Sequence, residues 1–309
     1  MSLRNDLKKY LHYLLDRRSF DPRPASAEIS PQALEAARSI RGDGRAPALL
    51  LHGVMPRSGT VYVGELLRKH PDLQAYPNEI WELPFLQQTV RIQKLQREFF
   101  LAYEQNVGKI GNDDFLPLFG SALIAYLYSF LPPERRMLLK VPSVQYLTCF
   151  FSMFPEERLL VLVRDGRDVV HSTVRTWPQL RFSMVCRRWR RAAEMVLRFD
   201  AIHGADRKGY WLAKFEDAVS DPVAFVEQAC DRFDLDVQRY PFEQIEEIRV
   251  QGSSSLRKDG KVVWDHVERP KGFSPVGHWQ NWSPGKTRTF KRIAGQALID
   301  MGYCDDLDW

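Results

Sequence analysis

Residues 48 to 68 read ALLLHGVMPRSGTVYVGELLR. A near-continuous apolar run, Ala48 to Val54, passes into a short loop, Met55 to Thr60, and then into Tyr62, Val63, Leu66 and Leu67 at helical spacing. The run predicts a strand covered on both faces, because a half-solvated strand alternates polar and apolar residues instead. Three further runs have the same character: Met137 to Val141, Arg158 to Val163 and Tyr210 to Phe215. Helical stripes lie between them, including Val170, Val174 and Trp177, which Pro178 ends. Strands alternating with helices predict an α/β fold, a P-loop-like parallel β-sheet flanked by helices with right-handed crossovers. In such sheets ligands bind beyond the carboxyl ends of the strands.

The loop after the first strand has the chemistry of an anion site. A tight turn into a helix aims successive N–H groups at one spot. Gly59 permits close approach of the backbone, Ser58 and Thr60 add hydroxyl donors, and Arg57 supplies a forked, permanent cation. A nucleoside-triphosphate P-loop is the rival reading, since Gly53 opens a similar frame. The lysine of that frame falls on Gly59, so the group that reaches the β- and γ-phosphates is missing.

A second anion site follows the run ending at Val163. Arg164 stands at the strand tip, and Ser172 lies eight residues on, in the first turns of the next helix, so both can converge on one phosphate. Asp165, Arg167 and Asp168 read as helix N-terminal charge and surface ion pairing. Lys140 ends the run Met-Leu-Leu-Lys at the rim of the sheet, where an ammonium requires an anion. Asp221 and Pro222 read as a helix N-cap and first helical residue.

The totals suit a small polyanionic ligand better than a nucleic-acid track. The 309 residues are 44% hydrophobic, and 44 basic against 39 acidic residues, interspersed, leave a net charge of +5. One domain over 1–309 is expected, with residues 1–45 as an N-terminal helical extension packed on it. Asp21 to Pro47, rich in Pro, Asp and Gly, separates those helices from the first strand. Leu3, Leu7, Tyr10, Leu11 and Leu14 form an amphipathic stripe without the length of a signal peptide or membrane span. Cys149, Cys186, Cys230 and Cys304 have no metal or redox spacing and read as reduced thiols of a cytoplasmic protein, or of a lumenal one if the chain is an excised fragment. No acidic cluster or HExxH spacing calls for a metal.

Residues 56–67, PRSGTVYVGELL, resemble the 5′-phosphosulfate loop, P-K/R-S-G-T-T, of the sulfotransferases that use 3′-phosphoadenosine 5′-phosphosulfate (PAPS). The resemblance implies that Arg57, Ser58, Gly59 and Thr60 hold the phosphosulfate; Val61 stands where a second Thr is common. It also places Tyr62 at the position of an adenine-stacking Trp. RDGRDVVHS, 164–172, is similar to the family's 3′-phosphate motif, with Arg164 and Ser172 in the binding positions. KVPSVQYL, 140–147, resembles the family's K-x-P element and implies that Lys140 steadies the bridging oxygen as it leaves. WLAKFEDAVSDP, 211–222, puts Phe215 where the family has a nucleotide-contacting Tyr, and RPKGFSPVGHW, 269–279, implies that Lys271 and Gly272 close over the 3′-phosphate.

The resemblance implies a sulfotransferase fold and sulfuryl transfer from PAPS to a hydroxyl or amine acceptor by in-line displacement, leaving adenosine 3′,5′-bisphosphate and requiring no metal. A P-loop nucleotide kinase and a non-catalytic nucleotide-binding protein of the same fold are the alternatives. The His that the cytosolic branch places after its lysine is absent here. Carboxylate-using branches place Glu shortly after an H-P-D helix end, and His70-Pro71-Asp72 leads to Glu79 and Glu82. Glu79 is the expected base, with Glu82, His171 and His278 as alternatives. The acceptor, whether a small molecule, glycan, lipid or peptide, is expected to bind against Leu83 to Phe130, with Trp177 to Trp189 as a second wall, and no nucleic-acid partner is expected.

Overall fold

The structure, a computed structural model, describes residues 29–42, 44–75, 82–106, 108–204, 207–251, 253–258, 261–263, 265, 267–268, 270 and 272–309. Its centre is a parallel sheet of five strands: β1 (Leu49–Gly53), β2 (Leu73–Ala75), β3 (Arg136–Val141), β4 (Arg158–Val163) and β5 (Tyr210–Lys214), in the order β2-β3-β1-β4-β5. Leu51 of β1 is in register with Lys140 of β3 and Leu160 of β4. The four apolar runs therefore become the four longer strands. The edge strand β2 carries no such run and was not expected.

Period-two alternation divides the strand residues between two cores. Leu49, Leu51, Leu138, Leu160 and Leu162 face α2 (Thr60–Arg68) together with the later helices α8 (Phe215–Ser220) and α9 (Pro222–Phe233). Leu50, Met137, Leu139, Leu159, Val161 and Val163 face the other layer. That layer holds α4 (Phe115–Tyr128), α5 (Phe150–Met153), α6 (Gly166–Thr176), α7 (Phe182–His203) and α10 (Pro284–Asp300). The continuous apolar runs are thus explained by burial on both faces. Truncating one of these leucines to Ala costs about 2–5 kcal/mol.

Two helices lie outside this plan. α3 (Thr89–Phe100) packs beside α4, and α1 (Pro31–Arg41) lies across α4 before the first strand. The Pro-rich segment before β1 thus contains a helix of its own. Ser30 caps it, accepting from the N–H of Ala33, and Pro31 opens it. Ser30 is in turn tied to the Asp114 carboxylate through its N–H at 2.7 Å and its hydroxyl at 2.9 Å. At the far end of α1, Arg41 donates to Glu157 at 2.6 Å, and the second Glu157 oxygen accepts from the N–H of Ala48, where the chain enters β1. Arg41 and Glu157 are only 7% and 4% exposed, so the pair belongs to the interior. Residues 1–28, including the expected amphipathic stripe, lie outside the described residues. No described helix is long and apolar enough to cross a membrane.

Candidate functional site

The loop from Met55 to Gly59 leaves the carboxyl end of β1, the middle strand of the sheet, and delivers the chain into α2. Arg57 and Gly59 both adopt left-handed backbone, with φ of 80° and 92°. At Arg57 this costs about 1–2 kcal/mol, a cost ordinarily met where the surrounding structure needs that turn. At Gly59 a side chain is excluded twice, because an added Cβ would lie 2.1 Å from the Phe215 ring. The close approach expected of Gly59 is thus first to Phe215. No side chain caps α2, which leaves its first N–H groups without intrahelical partners. Ser58 is fully buried, and its hydroxyl bonds to Met55 within the loop instead of opening to a ligand. Thr60, 5% exposed, begins the helix and lines the cleft.

Arg164 leaves the tip of β4 and turns its guanidinium onto this loop. One Nη donates to the Arg57 carbonyl at 2.7 Å, the other donates to the Pro275 carbonyl, and the Cζ lies 4.8 Å from the centre of the Phe215 ring. Its Nε is buried without a hydrogen-bond partner among the described residues. The Arg57 Nε donates to the Ser172 hydroxyl at 3.0 Å, and Ser172 donates onward to Ser254 at 3.1 Å. Burial, then the neighbouring Arg164, depresses the Arg57 guanidinium to about 10, which leaves it charged at neutral pH. Arg164 is lowered by burial, a tendency opposed by Asp168, Glu216 and Asp165. Two guanidinium groups therefore stand together in low dielectric, an arrangement that favours a bound anion.

These groups wall a cleft enclosing about 850 Å³, open to solvent. Arg57, Thr60, Arg164 and Ser172 form one side; Tyr62 and Phe215 meet edge to face at 6.2 Å. Arg249, Gln251 and the run Ser253 to Ser255 also line the cleft, and none of these was expected from sequence. A string of small hydroxyl residues is the signal that marks this run, but the contact with Ser172 spans 82 residues and is tertiary. His278 also lines the cleft, stacked on His171 at 6.0 Å and 3.4 Å from the Ser255 hydroxyl. Gly272 is exposed, with φ of 74°, and does not line the cleft, although Phe273 beside it does. Lys271 lies outside the described residues.

Lys140 is placed apart from the cleft walls. Its aliphatic stem runs beside Gly64 of α2, and its ammonium donates to Glu82 at 3.1 Å. The anion that the lysine required is thus at least in part a carboxylate of the protein. Glu79 lies outside the described residues. Leu83, Phe85 and Leu86, which follow Glu82, line a separate apolar cavity of about 420 Å³ with His52, Leu123 and Phe154. Trp189, expected near the acceptor, is instead fully buried against Gly166 and Phe290.

The charges after Arg164 also depart from expectation. Asp165, Arg167 and Asp168 are 7%, 7% and 2% exposed, so they are not surface pairs. Asp165 caps α6 and grips Arg167 at 2.7 Å, while the Arg167 guanidinium lies 4.0 Å from the ring of Trp279 and 4.5 Å from that of Trp309. Aromatic faces brought from the end of the chain remove these charges from water. Asp221 and Pro222 do open α9 as N-cap and first residue. The four cysteines are free.

The sheet, the strand-loop-helix anion site and the arginine at the tip of β4 together define a class, and comparison with known proteins identifies it. A model of the sulfotransferase family matches residues 52–239, and the chain belongs to that family. A protein-tyrosine sulfotransferase of Drosophila melanogaster is 23% identical over 294 residues, covering 90% of this chain and 58% of the relative. The chain thus spans less than two thirds of that relative's length. Among solved structures, the sulfotransferase domain from the curacin biosynthetic pathway aligns with a TM-score of 0.50 at 18% identity, covering 82% of this chain and 98% of its own. Mouse sulfotransferase SULT7A1 complexed with PAP aligns over 90% of this chain and 95% of its own, with a TM-score of 0.45 and 12% identity.

Proposed function

We propose that the protein transfers a sulfuryl group from PAPS to a hydroxyl or amine acceptor by in-line displacement. The observation that carries this reading is the junction of the two anion motifs: Arg57 and Arg164 share one cleft, and the buried Arg164 Nε has no hydrogen-bond partner among the described residues. A polyanionic nucleotide suits such a site, with the paired guanidinium groups for its anionic groups and Tyr62 and Phe215 for its base. PAPS would supply the sulfuryl group and depart as adenosine 3′,5′-bisphosphate.

In this reading Arg57, Thr60 and the first N–H groups of α2 hold the 5′-phosphosulfate, with Ser58 and Gly59 shaping the loop. Arg164 and Ser172 hold the 3′-phosphate, with Lys271 as a proposed helper; Gly272 does not line the cleft and is given no contact there. Tyr62 and Phe215 offer an aromatic edge to the adenine. Catalysis rests on charge positioned for the transition state, since only interactions that strengthen as the bond breaks accelerate transfer. Lys140 is the cation for the leaving oxygen, and Glu82 holds it in place until substrate competes for it. Glu79 is the proposed base; it must lie within hydrogen-bond reach of the acceptor and be ionised. The protein is proposed to act in the cytoplasm, or in a lumen if the chain is part of a longer one.

The experiment is incubation with labelled PAPS and a panel of phenols, tyrosyl peptides, glycans, steroids and lipids, following release of adenosine bisphosphate. The Drosophila relative's name puts tyrosyl peptides on that panel. Label transferred to an acceptor supports the reading, and Glu79→Gln should lower that transfer by about a hundredfold or more. Nucleotide binding without transfer to any member points to a non-catalytic binding protein. Tighter binding of ATP with Mg²⁺ than of adenosine bisphosphate points to the kinase reading.

A further inference from the structure

Residues 164–172, from the tip of β4 into the first turns of α6, carry two sets of contacts. Arg164 and Ser172 line the cleft, and Arg164, Arg167 and Asp168 engage a segment from the far end of the chain, Pro275 to Trp279. Asp168 accepts from the N–H of Gly277 at 2.7 Å and from that of Trp279 at 3.3 Å, one on each carboxylate oxygen. The left-handed backbone of Gly277, φ 83°, turns its N–H toward that carboxylate. Arg167, clamped by Asp165, presents its flat face to Trp279, and Trp309 meets Trp279 edge-on at 5.0 Å. The helix itself is firmly seated, because a Cβ on Gly166 would lie 2.3 Å from the Trp189 ring.

Pro275 and His278, on the fastened segment, line the cleft. We propose that Asp168 and Arg167 are positioning residues that fasten this segment over the cleft, so that release of the fastening limits the departure of bound nucleotide. The proposal rests on the donor-nucleotide reading above. The physical basis is that the segment cannot swing away without breaking both hydrogen bonds to a buried carboxylate, separating Trp279 from Arg167 and freeing the Pro275 carbonyl from Arg164. Bonds to charged groups are roughly twice as strong as neutral ones, so an opening that severs them together is infrequent. Closing segments of this kind often set the rate of product release.

The test begins without nucleotide, so that it is independent of function. In Asp168→Asn the amide cannot accept from both N–H groups, and hydrogen exchange at Gly277 and Trp279 should quicken by about tenfold or more, while β1 and β4 amides stay protected. Stopped-flow release of adenosine 3′,5′-bisphosphate should then quicken by about tenfold, with the association rate near wild type. Unchanged exchange at the two amides overturns the fastening; faster exchange with wild-type release overturns its role in retention. If Asp168→Asn does not fold, Arg167→Lys carries the test, since it keeps the charge beside Asp165 and loses the flat face against Trp279. Faster release at an unchanged melting temperature is the expected result, and wild-type release overturns the proposal. Failure of the wild-type protein to bind the bisphosphate refutes the nucleotide reading, and retention with it, while the exchange data still judge the fastening alone.

Discussion

The Nε of Arg57 donates to the Ser172 hydroxyl at 3.0 Å, joining the loop after β1 to the helix after β4 across 115 positions of sequence. The two anion motifs are therefore one hydrogen-bonded unit, and a change in one is felt in the other. Ser172→Ala should weaken adenosine 3′,5′-bisphosphate binding by about tenfold, the scale of one hydrogen bond to a charged group. It should also weaken binding of adenosine 5′-phosphosulfate, which lacks the 3′-phosphate, because Arg57 loses its tether. Calorimetric titration of both ligands measures this; a loss confined to the bisphosphate shows that the tether is dispensable.

Arg164→Ala should abolish most of the preference for adenosine 3′,5′-bisphosphate over AMP. The side chain also holds the carbonyls of Arg57 and Pro275, so some loss of melting temperature is expected. The ratio of the two dissociation constants separates recognition from folding. A preserved ratio removes Arg164 from the 3′-phosphate site.

Lys140→Ala should lower kcat by about a hundredfold while nucleotide affinity changes little, because a charge directed at a leaving oxygen acts chiefly as the bond breaks. Glu82→Gln releases the lysine from its 3.1 Å partner and should alter kcat less than Lys140→Ala does. Steady-state kinetics with one fixed acceptor tests both. Normal turnover with weakened nucleotide binding in Lys140→Ala makes the lysine a binding group only.

Gly59→Ala forces a left-handed alanine against Phe215 and should destabilise the fold by about 2–4 kcal/mol. Phe215→Ala in the same chain relieves the contact but not the backbone. Since Phe215→Ala also empties a core position, chemical denaturation of the single and double variants should show a double loss smaller than the sum of the two single losses. Additive losses mean that the Phe215 ring moves aside freely.

Burial holds the His52 imidazole down at about 4, partly offset by its bond to the Ser143 carbonyl at 2.7 Å, against about 6.5 in an unfolded chain. Between those pH values the unfolded chain binds a proton that the folded chain refuses, so stability is lost as pH falls from 6.5 toward 4. The loss from His52 is on the order of 3 kcal/mol at the lower end. His171, also lowered to about 4 by burial and then by His278, acts in the same direction. His52→Gln should flatten the fall of melting temperature between pH 7 and 5; an unchanged slope assigns the acid sensitivity elsewhere.

The longer strands were legible because burial on both faces leaves an unbroken apolar run, as at Leu159 to Val163. β2 was not, since three residues with only Leu73 buried leave no periodic signal. α1 does carry a start signal in Ser30 and Pro31, but the Gly, Pro and Asp residues around it read as a connecting segment. Of the site, Arg57, Thr60, Arg164 and Ser172 were legible, because each stands at a fixed offset from a strand end. Ser254 and the burial of Arg167 were not, since both depend on residues dozens of positions away. Asp168 looked like a surface charge for the same reason: nothing near it in sequence reveals that Gly277 and Trp279 donate to it.

The buried contact between Arg41 and Glu157 sets the latest point at which this chain can begin and still fold. Glu157 bonds simultaneously to Arg41 and to the N–H that begins β1, so a fragment starting at Ala46 would keep the carboxylate and lose its cation. Stranding one member of such a pair costs about 3–5 kcal/mol, a large share of what a domain has to spare. The autonomous unit therefore begins upstream of the loop after β1 and of the region 52–239 matched by the family model. Trimming to that matched segment should yield aggregates rather than a smaller folded protein, whereas a start just ahead of Ser30 retains the cap, the helix and the cation together.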